Sequence, residues 1–301
     1  MIEFDLPART YHENGAQIAT AFREVCDWLK SLGVFSASNR FSTYLKIFDN
    51  FESEAPYALQ SDENFRNYVV VQGEVTELIR IRKWLDSLDS EDYLNQLKKV
   101  TSGKPFASQA NADPARDFTF ELSIAARFLA AGYPVDVTGM ADTIAHVGPY
   151  KIYVECKRIQ SPSKVLKRIK EAQKQIGVRL SADASSKSRG LVACKISEVL
   201  NPALTTPIYS NASRFRHESE KSLKAYIREN EENLKKHTAK KQLGILFENN
   251  INGVVYDESS LNPEPKIINC RGATLYCHKL GSEDTNLVHN MAPKLASQGV
   301  L

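Results

Sequence analysis

The sequence predicts an α/β protein in which a helical first third precedes a mixed central sheet flanked by helices. Three observations predict it. The chain has 301 residues, more than one small core usually organises. Apolar residues recur at helical spacing through most of the first hundred positions, whereas strand-like and helix-like runs alternate after residue 113. Between the two lies 101–113, which opens Thr-Ser-Gly-Lys-Pro and reads as a linker. The expected parts are an α-helical unit over 1–105, suited to docking a partner or substrate, and an α/β unit over 113–290.

In order, residues 16–32 carry Ile18, Phe22, Val25, Cys26 and Leu29 at helical spacing and stop at Gly33. An aromatic-rich stretch follows around Phe41, Tyr44 and Phe48, and 64–85 and 91–100 read as further helices. Asp113 and Pro114 supply an N-cap and a first-turn proline to a helix that reaches Ala131 and ends at Gly132. Residues 133–138, 141–147 and 151–159 are strand candidates, and Gly148-Pro149 turns the last two into a hairpin. Ser161-Pro162 opens a helix to about Leu180, and 190–196 returns as a buried strand. A charged helix over 214–236 and strands over 243–247 and 273–278 complete the pattern.

Hydrophobic residues make up 42% and charged residues 25%, the balance of a globular chain, which excludes a disordered chain and a collagen-like chain. No run approaches the roughly 18 apolar residues needed to span a bilayer. The first residues lack a basic flank followed by an apolar stretch, so no secretory signal is expected. Five scattered cysteines do not make a disulfide framework, and the expected setting is a reducing cytoplasm. The net charge of +3 hides an asymmetry. Residues 1–105 sum to −4 and the remainder to +7, and the window 151–179 alone holds nine basic and two acidic side chains. That surplus suits a phosphate backbone; the alternative is a solvated helix face.

The segment 150–158 carries the chemistry. On a strand, Ile152, Val154 and Cys156 share an apolar face, while Tyr153, Glu155 and Lys157 share the other. A hairpin about Gly148-Pro149 pairs Val147 with Tyr150 and brings Asp142 opposite Glu155. Directly opposed like charges destabilise a sheet unless something neutralises them, and Mg²⁺ favours one or two carboxylates plus phosphate and water. On the preceding helix Glu121 falls inside the apolar arc of Leu122, Ala125 and Phe128. A buried carboxylate there needs a metal or a partner such as Lys157 or Arg127.

This order, helix-Glu, strand, strand-Asp, hairpin, strand-Glu-x-Lys, basic helix, strand, resembles the core of the PD-(D/E)XK nuclease superfamily. The likeness covers about residues 113–196. It implies a restriction-endonuclease-like fold and a Mg²⁺-dependent attack of water on a phosphodiester, with Mn²⁺ able to substitute. Asp142 matches the motif Asp, with Ala141 where a Pro often stands, and Glu155-Cys156-Lys157 matches the (D/E)XK element. The catalytic set implied is Glu121, Asp142, Glu155 and Lys157. Asp142, Glu155 and the main-chain carbonyl of Cys156 would hold the cation, and Glu121 would bind it through water or complete a second site. Gln173 matches the Gln of one subgroup, although Gly177 stands where its Tyr would be.

Arg158, Lys164, Arg168 and Gln173 are the expected nucleic-acid contacts. Lys167, Lys170 and Lys174 lie opposite the stripe of Val165, Ile169, Ala172 and Ile176 and should face solvent. Cys270, Cys277 and His278 lack the spacing of a zinc knuckle, His146 reads as a strand-end residue, and Ser102-Gly103-Lys104-Pro105 is no phosphate loop. The expected function is a nuclease acting on DNA or RNA, DNA favoured, within a defence or repair assembly, partnered by a helicase or ATPase subunit since the chain has no motor motif. Its rivals are a non-catalytic nucleic-acid-binding module and an interaction subunit that keep the fold.

Overall fold

Alternating side chains can bury both faces of a strand only if two separate apolar layers exist to receive them. The chain supplies both. The computed structural model describes residues 2–11, 15–36, 38–53, 63–106, 113–137, 141–236, 241–256, 265–277 and 280–296. In order come strand β1 (Ile2–Tyr11), helices α1 (Gly15–Ser31), α2 (Arg40–Ser53), α3 (Glu63–Leu85), α4 (Glu91–Thr101) and α5 (Pro114–Ala130), then β2 (Val135–Asp136), β3 (Thr143–Val147) and β4 (Tyr150–Arg158). A 3-10 turn, Pro162–Lys164, leads into α6 (Val165–Ala182). There follow β5 (Ser188–Lys195), α7 (Ser197–Leu200), β6 (Ile208–Tyr209), α8 (Ala212–Lys235), β7 (Gln242–Tyr256), β8 (Pro265–Cys277) and α9 (Ser282–Leu295).

The strands form one mixed sheet in the order β1-β8-β7-β5-β4-β3-β2, with β6 beside β7. β4, β5 and β7 run parallel, and the β3/β4, β7/β8 and β1/β8 pairs are antiparallel. Alternation decides which layer each residue enters. Ile152, Val154, Leu191, Ala193 and Leu246 pack with α1 to α5 and α9, while Val192, Cys194, Ile245 and Phe247 pack with α6 and α8. The α/β class with a helix-flanked mixed sheet is therefore present, and no described helix is long and apolar enough to cross a membrane.

The first third is not purely helical, which corrects the expectation for 1–105. Ile2–Tyr11 forms the edge strand β1 against β8, and its ladder shifts between Leu6 and Arg9. Pro7 demotes the run when read as sequence, but it sits in that irregularity, where a missing N–H disrupts no regular pairing. The helices of this third also share their apolar core with the sheet. β7 and β8 extend far beyond the runs expected for them. The asparagine-rich tract at 249–252, beyond the strand expected over 243–247, stays in the ladder, and tertiary bonds hold its amides. Asn250 donates to Glu77 (2.7 Å), Asn252 donates to the Val69 carbonyl (2.9 Å), and Asn269 donates to both asparagines.

Two local constraints place the elements that matter below. Gly148, at φ 56°, makes the tight turn that fixes Val147 opposite Tyr150. Gly190 of β5 lies directly under α6, where an added Cβ would come within 2.1 Å of Ile176 Cγ2. Only glycine lets the helix approach so closely.

A buried charge clamp joins the layers. Glu248 on β7 has no solvent exposure and accepts from Arg127 of α5 (2.5 Å) and Arg271 of β8 (2.9 Å). Arg127 also donates to the Leu295 carbonyl at the end of α9 (2.7 Å), and Arg271 to Ser123 Oγ (2.9 Å). Arg127 is thus committed to Glu248, not to Glu121. Burial alone would push the Glu248 carboxyl up, but Arg271 and Arg127 outweigh it and hold it at about 2. A depressed carboxylate stabilises the fold fully above its unfolded value near 4.3 and loses that contribution as pH falls towards about 2. Glu248→Ala should cost about 3–5 kcal/mol at neutral pH, because it strands two buried arginines, and the loss should shrink below about pH 4. Urea unfolding of both proteins at pH 7 and pH 3 measures it.

Candidate active site

The site is made by unequal strand lengths. β3 ends at Thr143, which pairs with Val154, while β4 runs on to Arg158. Residues 155–158 of β4 keep β5 on one side, with Glu155 beside Val192 and Lys157 beside Cys194, and have no strand on the other. Asp142, one residue before β3, fills part of that gap. Its Oδ2 accepts from the Cys156 backbone N–H at 2.6 Å, standing in for the carbonyl that a longer β3 would supply. In a strand the N–H and C=O of one residue point the same way, so the Cys156 carbonyl also faces the open side where Asp142 lies. The hairpin register expected from sequence is the one observed.

Glu155 points into the α6 layer and is fully buried. Its Oε1 meets the Arg179 guanidinium from the last turn of α6, and its Oε2 lies 3.7 Å from Lys157 Nζ. Both oxygens are sealed from solvent and are met by charge, without aligned hydrogen bonds. Burial and then the Asp142 charge push the Glu155 carboxyl up to about 7, against the pull of Arg179 and Lys157. Glu121, partly buried on α5, is raised by burial and next by Asp142. Asp142 is raised by burial against the Cys156 N–H bond, Lys157 and Arg179. The four residues expected to act together, Glu121, Asp142, Glu155 and Lys157, therefore lie in each other's electrostatic field at one sheet end.

They do not form a cation cage as placed. Among the described residues no three His, Cys, Asp or Glu side chains close on one point, and the Glu155 carboxylate is turned to Arg179 and Lys157. The donor chemistry suits a hard cation, since carboxylates and a strand carbonyl are oxygen ligands. The arrangement leaves it no opening at Glu155.

The expected nucleic-acid contacts divide. Lys164 is exposed, and Arg168 is exposed and pairs with Glu171 at 3.0 Å. Lys167, Lys170 and Lys174 face solvent as expected. Gln173 is buried, and its amide nitrogen has no hydrogen-bond partner among the described residues. Arg158 is withdrawn from solvent, its side chain 4% exposed, and is held by Glu198, by Asp113 (3.5 Å) and by Asp117 (3.7 Å). The expectation that Arg158 presents its charge to a phosphate fails in this arrangement, because three acids already compensate it. Beside Arg158 a cleft of about 190 Å³ is lined by Glu74, Arg116, Glu77, Lys195, Glu198 and Asn250. Its acids and bases pair with one another, so the charges cancel, and Val69, Val70, Leu204 and Ile251 make the rest of the wall largely apolar.

His146 bonds Asp136 (2.8 Å) at the exposed strand end. Cys270 and Cys277 are buried free thiols, and His278 lies outside the described residues. Sequence reasoning counted Arg179 only as part of a basic run. The signal that would have singled it out is spacing: it falls three residues after Ile176, at the end of the apolar stripe, where a charge needs a partner.

No family model, curated protein or solved structure matches the chain.

A raised carboxyl has the opposite pH signature to Glu248. Glu155 carries no penalty below its unfolded value near 4.3, destabilises the fold progressively as pH rises towards about 7, and carries the full penalty above that. The metal-free protein should therefore lose stability between about pH 5 and 8, and Glu155→Gln should flatten that slope. Denaturant midpoints in chelator across this range measure it; an unchanged slope in Glu155→Gln would assign the effect to other groups.

Proposed function

We propose that the chain is a metal-dependent nuclease of the PD-(D/E)XK kind, hydrolysing phosphodiester bonds within DNA in preference to RNA. The observation that carries the reading is the gathering of three carboxylates and a lysine at the open end of β4, with the Glu155 carboxyl pushed up to about 7. Acids that raise one another in this way gain most from a cation or a proton.

Each residue has a distinct part. Asp142, anchored on the Cys156 N–H, fixes the open side of the strand end, and Glu155 and Glu121 set its negative field. Lys157, partly exposed beside Glu155, is placed to orient the attacking water and to offset charge developing on the phosphoryl oxygens. Mg²⁺, when bound, makes hydroxide available near neutral pH and draws charge from phosphorus. The exposed lysines of α6 and Lys164 offer a cationic track to the backbone, whose strength should fall with salt.

A second reading is favoured by one observation, the clasp of Arg179 on Glu155. A permanently neutralised Glu155 would leave a nucleic-acid-binding module without cleavage. One assay separates the two: labelled DNA and RNA, single- and double-stranded, incubated with Mg²⁺ or chelator. The nuclease reading expects Mg²⁺-dependent cleavage that Lys157→Ala lowers at least about 100-fold with melting and binding retained. Binding without cleavage of any substrate would support the module instead, and full activity in Lys157→Ala would remove Lys157 from the proposed catalytic set.

A further inference from the structure

The cleft beside Arg158 lies at the carboxyl ends of the parallel strands β4 and β5, marked by Arg158 and Lys195, where open α/β sheets receive ligands. Its floor is a gap in the sheet. β5 accompanies β7 as far as Glu248, and β6 takes up the same side only at Val254. Ser197 Oγ answers the Asn250 N–H (2.8 Å), and the Pro207 carbonyl answers the Val254 N–H (2.9 Å). Asn252 lies between them, so its N–H and C=O turn to the same side with no strand beside them. Its side chain is already engaged with Val69 and Asn269. What it offers the cleft is a main-chain donor and acceptor.

The walls are apolar and partly bare. Among the described residues the large apolar side chains left exposed are Val70, Val178, Leu204 and Ile208. Val70 and Leu204 line this cleft, and Ile208 lines the cavity that adjoins it at Leu204. Leu204 also has a left-handed backbone, at φ 49°, which a leucine rarely adopts. Asn201 enforces it. Its Oδ1 accepts from the Thr205 N–H (3.2 Å) and its Nδ2 donates to the Thr205 carbonyl (2.7 Å), which closes the loop around Leu204. An exposed leucine is thus held against the cleft in a conformation it would not adopt alone.

Charge, size and shape identify the occupant. The charges of the lining cancel, which disfavours a phosphate. The volume of about 190 Å³ falls below the roughly 300–1,000 Å³ of sites that enclose a drug-sized ligand, so it suits a single ring system. A nucleobase presents apolar faces to side chains such as Val69 and Leu204, and a donor–acceptor edge to a main chain such as that of Asn252. Resting on the nuclease reading for the source of that base, we infer that the cleft takes one unstacked base of a single-stranded substrate. Lys157 and Arg158 are consecutive and point to opposite faces of β4, so the proposed cutting position and the base site flank one strand end. A paired base gives its edge to its partner, so this site selects single strands, or a base turned out of a duplex.

The test measures binding by the full chain in chelator, where nothing is cut. The probes are a fluorescent single-stranded DNA, an abasic strand of the same length, and free deoxynucleosides. Wild type should bind the intact strand at least about fivefold more tightly than the abasic one. Val70→Trp, which fills the cleft, and Leu204→Gly, which removes a wall, should bind both strands equally and keep the salt dependence of phosphate contacts. Leu204→Gly should melt close to wild type, because glycine suits a left-handed φ. Should the variants fail to fold, hydrogen exchange on the wild type decides: the intact strand should slow exchange at Asn252, the abasic strand should not, and adding the complementary strand should reverse the slowing. Equal binding of intact and abasic strands by wild type, or a full preference for the intact strand in both folded variants, overturns the inference and leaves the cleft to another occupant, such as a protein side chain. Slowing by free deoxynucleosides but not by the strand overturns the strand as the source. Mg²⁺-dependent cleavage of intact and abasic strands at equal rates leaves the nuclease reading standing without the base site. A base preference with no cleavage of any substrate leaves the base site standing without the nuclease.

Discussion

Everything at the candidate site depends on one mismatch: β4 is longer than its antiparallel partner β3. A strand edge left unpaired inside a protein must be satisfied or exposed. Here the first unpaired N–H on that side, that of Cys156, is answered by the Asp142 carboxylate at 2.6 Å in place of a backbone carbonyl. That single substitution brings a carboxylate to the strand end next to Glu155, and the repulsion between the two follows from it. A β3 extended by two residues, to Ala141, would satisfy the same N–H with a backbone carbonyl instead of a charge.

The surrounding fold is arranged so that this tension is tolerated. The cost of charge is met elsewhere by complete compensation: Glu248 with Arg127 and Arg271, Arg116 with Glu74 and Asp113, Lys195 with Glu77. These pairs tie α3, α5, β5, β7 and β8 together, and Lys195 beside Glu77 and the two arginines beside Glu248 hold those two carboxyls below the usual carboxylate range. The strand-end cluster differs in holding more acids than its cations offset, which is why the Glu155 carboxyl moves up while that of Glu248 moves down. Two fully buried glutamates in one sheet thus differ in sign: the one clasped by two arginines is held down, and the one beside a second acid is pushed up.

Much of this was legible in the residues. The Gly148-Pro149 turn gave the register, alternation in 150–158 put Glu155 and Lys157 on one face, and Asp113-Pro114 marked the start of α5. What was not legible depends on contacts distant in sequence. β1 alternates well, but Pro7 argues against it until β8 is seen to shift register there. The expected strand stops at Phe247, because the asparagines that carry β7 further are held by Glu77, Val69 and Asn269, all distant in sequence. Arg158 reads as a phosphate contact because its acids, Asp113, Asp117 and Glu198, lie forty or more positions away in the chain. Arg179 lies at the far end of α6, and its meeting with Glu155 depends on how Ile176 and Leu180 seat that helix on β5.

The account stands on a cation taking its place at the open end of β4. Crystals grown with saturating Mn²⁺ at pH 8 and examined for anomalous scattering test this most directly. The account predicts one strong peak within coordinating distance of the Asp142 and Glu155 carboxylates and the Cys156 carbonyl. An empty strand end, with Arg179 still against Glu155 at saturating Mn²⁺, would contradict it.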